Sequence, residues 1–361
     1  MATYLLAGGG TAGHVNPLLA LAELICDAEP DSTVIALGTA EGLESRLVPE
    51  RGFELVTIPR LPFPRKPGAY ALKFPAAYKR TVRAVVELIK TRNVDAVVGF
   101  GGYASSPAYS AARKAGIPFV IHEANARPGL ANRFGARHTK HVGVTFPGTP
   151  IRNAQVTGMP LRREITLLDR AAQRPAALDF FGLDSDKPTL LVTGGSLGAR
   201  ALNEGISGSA AEIVASGAQV LHIWGRLTEL QDPEIPGYKV LPYCDRMDLA
   251  FSVADLIVSR AGATTVSEIA GLGIPAVFSP YEVGNGEQKL NCKAVVAAGG
   301  ALLVNDSELG ADWVQHTLLP LLHDKNRLAQ MSENARTVAK LDGTERLFEM
   351  LQAALSGVSP K

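Results

Sequence analysis

Cysteine is scarce in this sequence: Cys26, Cys244 and Cys292 are its only three, and no CxxC pair occurs. Three distant cysteines exclude a disulfide framework and a zinc site of paired cysteines, and they fit a reducing cytoplasm. Long apolar runs are also missing, since no stretch reaches the roughly 18 consecutive apolar residues of a membrane span. The uncharged first 22 residues lack a basic start and are interrupted by Gly8–Gly10, unlike a signal peptide. We therefore expect a protein that is soluble or bound at a surface.

Net charge is nearly absent too, because 36 basic residues face 35 acidic ones for a total of +1. This balance excludes a wholly basic nucleic-acid-binding protein and an acidic disordered tail. The total conceals an asymmetry, with +7 on residues 1–160 and −6 on residues 161–361. A hydrophobic content of 46% supports sizeable cores, and 361 residues suggest two domains.

Short apolar runs bounded by Gly or Pro alternate with amphipathic segments of helical length. This alternation predicts βαβ units and parallel sheets. The predicted strands are Tyr4–Ala7, Thr33–Leu37, Glu54–Ile58, Ala96–Gly99, Phe119–His122, His141–Val144, Gln155–Thr157, Thr189–Thr193, Val220–Trp224, Lys239–Leu241, Leu256–Ser259, Ala276–Ser279 and Ala301–Val304.

One long-period repeat organises these strands. Tyr4–Gly10 and Leu190–Ser196 both read as a strand followed by glycines and a helix. The repeat predicts two doubly wound α/β domains, each with a ligand crevice at the carboxyl ends of its strands. We expect an N-terminal domain over 1–160, a C-terminal domain over 161–345, and a last helix over 346–361 that packs back on the N-terminal domain.

The first glycine loop, Gly8-x-Gly10-x-x-Gly13, matches the dinucleotide-binding pattern. That pattern also requires an acidic residue at the end of the second strand, and the first acid here is Glu41, beyond the turn. A nicotinamide site is therefore disfavoured. His14 follows the loop at the start of a nearly apolar helix, where it is either a positioned base or a locally packed side chain.

The second glycine loop, Gly194–Gly198, fits the G-x-S-x-G nucleophile elbow with Ser196 as nucleophile. The histidines that follow, His222, His316 and His323, sit in a strand or a helical tail rather than in catalytic loops. The same turn can instead offer amides and a hydroxyl to a phosphate. We favour the phosphate, because the loop Ser259–Glu268 calls for a diphosphate as well.

In that later loop, small residues let a ligand approach the backbone, and Glu268 can accept both hydroxyls of a ribose. Thr265-x-x-Glu268 reads equally as a helix capping box. The acid and amides of Glu287, Gln288 and Asn291 suit sugar hydroxyls or a solvated helix start.

His122-Glu123 has no second histidine at 126, so a zincin-type metal site is excluded.

Arg60–Arg83 holds seven basic residues, no acid and six large apolar or aromatic residues. It accounts for the whole excess charge of the first half. Phosphates of nucleic acid or anionic lipid headgroups would suit it, and a solvated helix is the plain alternative. No nucleic-acid-binding module accompanies it, so we favour membrane contact.

Six motifs in order resemble the MurG family of N-acetylglucosaminyltransferases. They are Gly9–His14, Gly101–Pro107, His122–Asn125, Gly194–Ala199, Arg260–Glu268 and Glu287–Asn291. The resemblance spans nearly the whole chain. It implies a GT-B fold of two Rossmann-like domains separated by a cleft, with the acceptor on the first and UDP-GlcNAc chiefly on the second.

The resemblance also implies a reaction: inverting transfer of GlcNAc from UDP-GlcNAc to the MurNAc 4-hydroxyl of lipid I, undecaprenyl-pyrophosphoryl-MurNAc-pentapeptide. It implies no obligatory cofactor or metal, a peripheral location at the cytoplasmic face of an anionic membrane, and partners in cell-wall synthesis or division. Four positions depart from the family pattern: Ala12 replaces a usual Gly, Met159 a usual Asn, Leu197 a usual Gln and Glu287 a usual Gln. At Glu287 the change bears on the donor sugar, because a carboxylate cannot donate the hydrogen bonds of an amide.

The donor contacts are carried over from the family residue by residue, whereas the membrane contacts rest on the composition of the basic segment. His14 is expected as general base, with Glu123 as second choice. The remaining expected contacts are Thr11, Ala12, Gly13, Asn125, Arg162, Ser196, Cys244, Ala263, Thr264, Thr265, Glu268, Glu287 and Gln288 for the donor; Gly10, Tyr103 and Ser105 for the acceptor; and Phe63, Arg65, Lys66, Phe74, Lys79 and Arg80 for the membrane. The alternatives are a GT-B enzyme with another acceptor, a serine hydrolase acting through Ser196, and a non-enzymatic module that binds anionic surfaces.

Overall fold

A computed structural model describes residues 2–64, 66–228, 232–281 and 286–357. The chain forms two compact units, one of Met1–Arg162 with Leu341–Lys361 and one of Arg163–Lys340. These divisions lie a few residues from the expected 160/161 and 345/346. Two hydrogen bonds join the end of the first segment to the start of the last one: Leu161 N–H donates to Thr344 Oγ1 and Thr344 Oγ1 donates to Leu161 O, both at 3.2 Å.

Strands and helices alternate along the first unit. In order they are β1 (Thr3–Ala7), α1 (Ala12–Ala28), β2 (Thr33–Gly38), α2 (Glu44–Glu50), β3 (Glu54–Thr57), α3 (Ala69–Thr91), β4 (Ala96–Gly99), α4 (Gly102–Ala115), β5 (Phe119–Glu123), α5 (Leu130–Gly135), β6 (Val142–Val144) and β7 (Ala154–Val156).

The second unit repeats the alternation. Its elements are α6 (Arg163–Thr166), α7 (Arg170–Phe181), β8 (Thr189–Thr193), α8 (Arg200–Ser207), α9 (Ala210–Ala215), β9 (Gln219–Ile223), β10 (Tyr238–Leu241), α10 (Met247–Val253), β11 (Leu256–Ser259), α11 (Ala263–Gly271), β12 (Ala276–Phe278), α12 (Glu287–Asn291), α13 (Lys293–Ala297), β13 (Ala301–Leu303), a 3₁₀ turn (Asp306–Glu308), α14 (Ala311–Trp313), a π-helical turn (Val314–Leu318), α15 (Leu319–His323) and α16 (Lys325–Val338). The last helix, α17 (Gly343–Leu355), belongs to the first unit.

Each unit contains one all-parallel sheet. The first sheet has the order β3-β2-β1-β4-β5-β6-β7, and the second has the order β10-β9-β8-β11-β12-β13. Both orders reverse beside the first strand of the unit, which is the arrangement of Rossmann-like folds. The two doubly wound domains and all thirteen predicted strands are confirmed within the described residues, with ends that differ by one residue at most.

Both faces of the first sheet are buried, which explains why its strands read as continuous apolar runs. Leu5 and Ala7 of β1 join one core, with Val82 and Val85 of α3. Tyr4 and Leu6 point to the other face, where α1 and α17 form the second core. In the second unit, β8 and β11 bury their side chains against α8, α9 and α16.

Candidate active site

The strand order of the first unit reverses between β1 and β4, so their following loops meet at one edge of the sheet. Phe100 N–H donates to Ala7 O at 2.8 Å, which ties the two loops together. A Cβ on Gly102 would overlap the carbonyl of Gly9, so glycine is required for this approach. A ligand crevice in such folds lies at this reversal.

His14 stands at this point, in the first turn of α1. Its Nδ1 lies 3.0 Å from Gly9 O and 3.3 Å from Thr11 Oγ1. Because a carbonyl oxygen only accepts, Nδ1 carries the proton of the neutral ring and Nε2 keeps its lone pair. Nε2 faces Gly101, the residue before α4. The structure thus presents the acceptor nitrogen of His14 toward the start of α4.

Burial lowers the pKa of His14, and this effect outweighs the hydrogen bond to Gly9 and the negative charge of Glu44, which both raise it. Its neighbour His122 is fully buried, and burial lowers the pKa of His122 to about 4. Both rings are therefore neutral at pH 7. A neutral, half-buried imidazole with a fixed tautomer is suited to accept a proton.

Glu123, the second-choice base, is buried at the end of β5. Its carboxylate accepts hydrogen bonds from Asn125 N at 3.0 Å, Gly129 N at 2.9 Å and Asn132 Nδ2 at 2.9 Å. These bonds fix the loop that follows β5, which carries Asn125. The geometry therefore gives Glu123 a loop-holding role and leaves His14 as the better-placed base.

The expected acceptor contacts differ in accessibility. Gly10 is exposed in the first loop, with a φ of +91°. Tyr103 is half-buried, and Arg60 lies over its ring at 4.8 Å. Ser105 is fully buried: its Oγ accepts from Gly101 N and lies within hydrogen-bond distance of two carbonyl oxygens, Ala7 O at the end of β1 and Gly101 O. Ser105 can thus affect an acceptor only through the loop it holds.

Of the expected donor contacts in the first unit, Thr11 is exposed, Ala12 and Gly13 are half-buried, and Arg162 ends the unit's main segment.

In the second unit the strand order reverses between β8 and β11. Ser196 is exposed in the loop after β8, and its carbonyl accepts a hydrogen bond from Arg226 N at 3.1 Å. A serine nucleophile would need a histidine beside it. His222 instead binds Tyr238 OH at 2.6 Å and Asn203 Oδ1 at 3.1 Å, and burial lowers its pKa to about 3.

The remaining histidines of this unit also bind elsewhere. His316 lies against Asp312 O, and His323 against Ser216 Oγ. Within the described residues, therefore, no catalytic triad forms around Ser196.

The loop between β11 and α11 is held on both sides. Arg260 is buried and pairs with Asp306, with Nη2–Oδ2 at 2.9 Å. Gln288 Oε1 accepts from Ala261 N at 3.2 Å and from Tyr281 N at 2.9 Å, so the Gln288 amide must direct its NH₂ group away from them. Asn291 Nδ2 donates to Ala261 O at 3.3 Å.

The helix α11 begins at Ala263 with Gly262 as its N-cap, and no side chain caps it. Thr265 is consequently inside the helix, and the capping-box interpretation of Thr265 and Glu268 is wrong. The first turn leaves backbone N–H groups without helical partners, which is how helices bind phosphate. Thr264 Oγ1 is buried there without a hydrogen-bond partner in the described residues.

Three other residues expected to contact the donor, Glu268, Cys244 and Glu287, belong to the same unit. Glu268 is buried in α11, and Cys244 is buried in the loop between β10 and α10, where burial raises the pKa of its thiol to about 11. Glu287 opens α12, and its Oε2 is buried with no hydrogen-bond partner among the described residues. The Thr264 hydroxyl can donate to a ligand oxygen and the Glu287 carboxylate can accept from a ligand hydroxyl, so a ligand can satisfy both buried groups.

The basic segment of the first unit exposes apolar side chains beside its charges. Phe63 and Leu72 are 65% and 84% exposed, and Lys66, Lys79 and Arg80 are exposed as well. Phe74 contacts the rings of Phe63, Tyr70 and Tyr78, while Tyr78 OH bonds to Ser106 and Ser110 of α4. Arg65 lies outside the described residues. In the described part of the chain, no helix has the length and apolarity to cross a bilayer.

Sequence reasoning missed Glu44, a fully buried carboxylate beneath the first glycine loop. It accepts hydrogen bonds from Gly10 N at 2.7 Å, Thr39 N at 2.8 Å and Thr39 Oγ1 at 2.9 Å. A carboxylate in contact with the loop amide opposes a phosphate there, which further disfavours the nicotinamide interpretation. Glycines at 38 and 42, around the turn after β2, are the signal that could have found it.

Comparison with known proteins agrees with this geometry. Residues 4–144 match the glycosyltransferase family 28 N-terminal domain, and residues 189–347 match the C-terminal domain of that family. The chain is 59% identical over 356 residues to a UDP-N-acetylglucosamine--N-acetylmuramyl-(pentapeptide) pyrophosphoryl-undecaprenol N-acetylglucosamine transferase of Leifsonia xyli subsp. xyli, and this match covers 99% of both proteins. The chain belongs to the MurG family of family 28 glycosyltransferases.

Other members of the MurG family support the assignment. The enzyme of the same description from Streptomyces coelicolor is 49% identical, and the match covers 97% of this chain and 98% of that protein. The crystal structure of Acinetobacter baumannii MurG superposes with a TM-score of 0.78 at 30% identity, covering 98% of this chain and all of that one. The two-domain GT-B fold and the glycosyltransferase activity follow from this membership.

Proposed function

We propose that this chain transfers GlcNAc from UDP-GlcNAc to the 4-hydroxyl of the lipid-linked MurNAc of lipid I, with inversion at the anomeric carbon. The MurG-family relatives carry the donor and the acceptor in their descriptions. The observation that supports the mechanism is the orientation of His14, with Nδ1 bonded to Gly9 O and Nε2 facing Gly101.

In this reaction Nε2 of His14 removes the proton from the acceptor hydroxyl. The hydroxyl oxygen forms a bond to the anomeric carbon of GlcNAc while the bond from that carbon to the β-phosphate oxygen breaks. UDP leaves with the electron pair. General-base catalysis contributes roughly 10²–10⁴-fold to a rate, which sets the loss expected when His14 is removed.

The departing diphosphate is stabilised by the uncapped first turn of α11, with Thr264 and Thr265, and by the loop of Ser196. Glu268 accepts hydrogen bonds from the ribose hydroxyls, the backbone at Cys244 contacts the uracil, and Arg162 binds the nucleotide. Glu287 accepts a hydrogen bond from one hydroxyl of the sugar, and the NH₂ group of Gln288 donates a hydrogen bond to another. The pairing of Gln288 Oε1 with two backbone amides supports this donor role.

The exposed apolar and basic side chains of the Arg60–Arg83 segment contact an anionic membrane surface. Each basic residue near such a surface contributes about 1 kcal/mol, so a small group suffices for reversible attachment. We assign the chain to the cytoplasmic face of the membrane, with the lipid acceptor and other proteins of cell-wall synthesis or division as its partners there. We assign the reaction no obligatory metal or cofactor.

Calorimetry against UDP, UDP-GlcNAc and NAD tests the donor, and lipid I is the acceptor in a turnover assay. We expect binding of UDP and UDP-GlcNAc but not NAD, and transfer only when lipid I is present. The His14→Ala protein should bind UDP normally and turn over about 10²–10⁴-fold more slowly. Wild-type turnover of His14→Ala would refute the base assignment, and labelling of Ser196 by a fluorophosphonate would favour the hydrolase.

A further inference from the structure

The peptide group between Gly9 and Gly10 is bonded at both ends. Its carbonyl, Gly9 O, lies 3.0 Å from His14 Nδ1. Its N–H, on Gly10, donates to Glu44 Oε2 at 2.7 Å. One peptide therefore connects the imidazole of α1 with the carboxylate of α2.

The sequence makes room for this carboxylate in three places. A Cβ on Gly9, Gly38 or Gly42 would overlap the side chain of Glu44. The three glycines belong to the loop after β1, the end of β2 and the turn before α2. Glu44 thus fills a space that the backbone leaves open for it.

Three groups donate hydrogen bonds to the Glu44 carboxylate: Gly10 N–H, Thr39 N–H and the Thr39 hydroxyl. The described residues place no lysine or arginine at ion-pair distance from it, although it is fully buried. A buried carboxylate without a cationic partner is costly to fold, since desolvation is compensated only by hydrogen bonds. Such a cost points to a role in function rather than in stability.

We propose that Glu44 is the positioning residue of His14, acting through the Gly9–Gly10 peptide in a relay of imidazole, peptide and carboxylate. The relay rests on the proposed role of His14 as base. Hydrogen bonds in a chain polarise one another, so the carboxylate strengthens Gly9 O as the acceptor of Nδ1–H and fixes the tautomer. When Nε2 takes the acceptor proton, the charge of Glu44 stabilises the imidazolium, as a directly bonded aspartate does in serine proteases.

Other elements also face His14. His122 of β5 is the second titratable group near it, and it is neutral at pH 7. From α5 the amide of Asn132 approaches the same side of Gly101, backed by the carboxylate of Glu123. Glu44 is the group whose negative charge opposes the effect of burial on the pKa of His14.

The test compares Glu44→Gln with Glu50→Gln in the full-length protein, using UDP-GlcNAc and lipid I across roughly pH 5–9. Glu50 lies on the same helix, exposed and paired with Arg46, so its variant removes an equal charge away from the relay. We expect Glu44→Gln to lower kcat at least about tenfold, with the KM for UDP-GlcNAc changed by less than about twofold. Glu50→Gln should match the wild type.

The pH profile separates the relay from a structural role. Loss of the negative charge disfavours the imidazolium, so the acid limb of kcat should move about one unit to lower pH in Glu44→Gln. A loss of kcat with an unmoved acid limb, or no loss at all, overturns the proposal. If Glu44→Gln does not fold, Glu44→Asp keeps the charge but withdraws it from Gly10, and wild-type kcat in that variant also overturns it.

The same assay includes His14→Ala. Wild-type turnover of that variant refutes the proposed base, and the relay with it. A slow His14→Ala beside an unaffected Glu44→Gln refutes the relay alone.

Discussion

Replacing Thr264 by valine should have opposite effects on stability and on nucleotide binding. Thr264 Oγ1 is buried in the first turn of α11 without a hydrogen-bond partner among the described residues. Burial of an unsatisfied polar group costs about 1–3 kcal/mol. Valine has the same shape without the hydroxyl, so Thr264→Val should stabilise the ligand-free protein. Each kcal/mol corresponds to about 2–4 °C in Tm for a domain of this size.

The same hydroxyl is predicted to donate to the diphosphate of the donor. A hydrogen bond to a charged group contributes about 1.5–3 kcal/mol, so Kd for UDP should rise by a factor of about 10 to 150. Ser267→Ala is the matched control in the same helix, because Ser267 Oγ donates to Ala263 O at 2.9 Å. That variant should lose stability and keep its affinity for UDP.

Scanning calorimetry of the ligand-free proteins and titration calorimetry with UDP measure the two effects. A lower Tm for Thr264→Val together with an unchanged Kd would refute two ideas: that the Thr264 hydroxyl is unsatisfied until a ligand binds, and that the diphosphate lies at α11.

Four further outcomes are expected. The lowered pKa of His14 keeps the base neutral as pH falls, so the acid limb of kcat should lie below pH 6.5, the ordinary value for histidine. Native His122 and His222, with pKa values of about 4 and 3, stay neutral at pH values where unfolded histidine is protonated. The free energy of unfolding should therefore fall as pH drops from 6.5 toward 4, which urea unfolding at several pH values measures. Tyr109→Phe removes the donor at 2.7 Å from the buried Asn132 Oδ1 and should cost about 1–3 kcal/mol of unfolding free energy, whereas an unchanged urea midpoint would contradict that bond. Glu287→Ala should raise the KM for UDP-GlcNAc about tenfold or more and leave Kd for UDP unchanged, since its unpaired Oε2 is assigned to the sugar; equal losses for both ligands would contradict that assignment.

Membrane attachment has a separate test in the first unit. Lys79→Glu with Arg80→Glu should reduce sedimentation with vesicles containing anionic lipid by reversing charges on the exposed segment, while UDP binding stays normal. Lys90→Glu, at the other end of α3, is the control. Equal vesicle binding by all three proteins would contradict the membrane role of the segment.

The sequence predicts the fold well because parallel strands buried on both faces are short apolar runs between glycines. Val97 and Val98 of β4, for example, enter opposite cores and leave no polar alternation. The glycine turns can be predicted as well, since Gly10 and Gly101 adopt positive φ and Gly102 lies close to the carbonyl of Gly9. Requirements of this kind involve residues that are close in the sequence or in the turn itself.

The contacts that organise the candidate site are not local, and they could not be predicted from spacing. Glu44 meets Gly10 across 34 positions, and Gln288 meets Ala261 across 27. Each depends on how a short helix docks, which sequence periodicity does not determine. The same limit explains why Glu123 was expected as a possible base, although its oxygens are occupied by the loop that it holds.

Transfer by the purified chain from labelled UDP-GlcNAc to lipid I, with the linkage of the product determined by NMR, tests the proposed reaction most directly. We expect one GlcNAc attached β to the MurNAc 4-hydroxyl, release of UDP in equal amount, and loss of this activity in His14→Ala. An α-linked product, or release of UDP without transfer to lipid I, would contradict it.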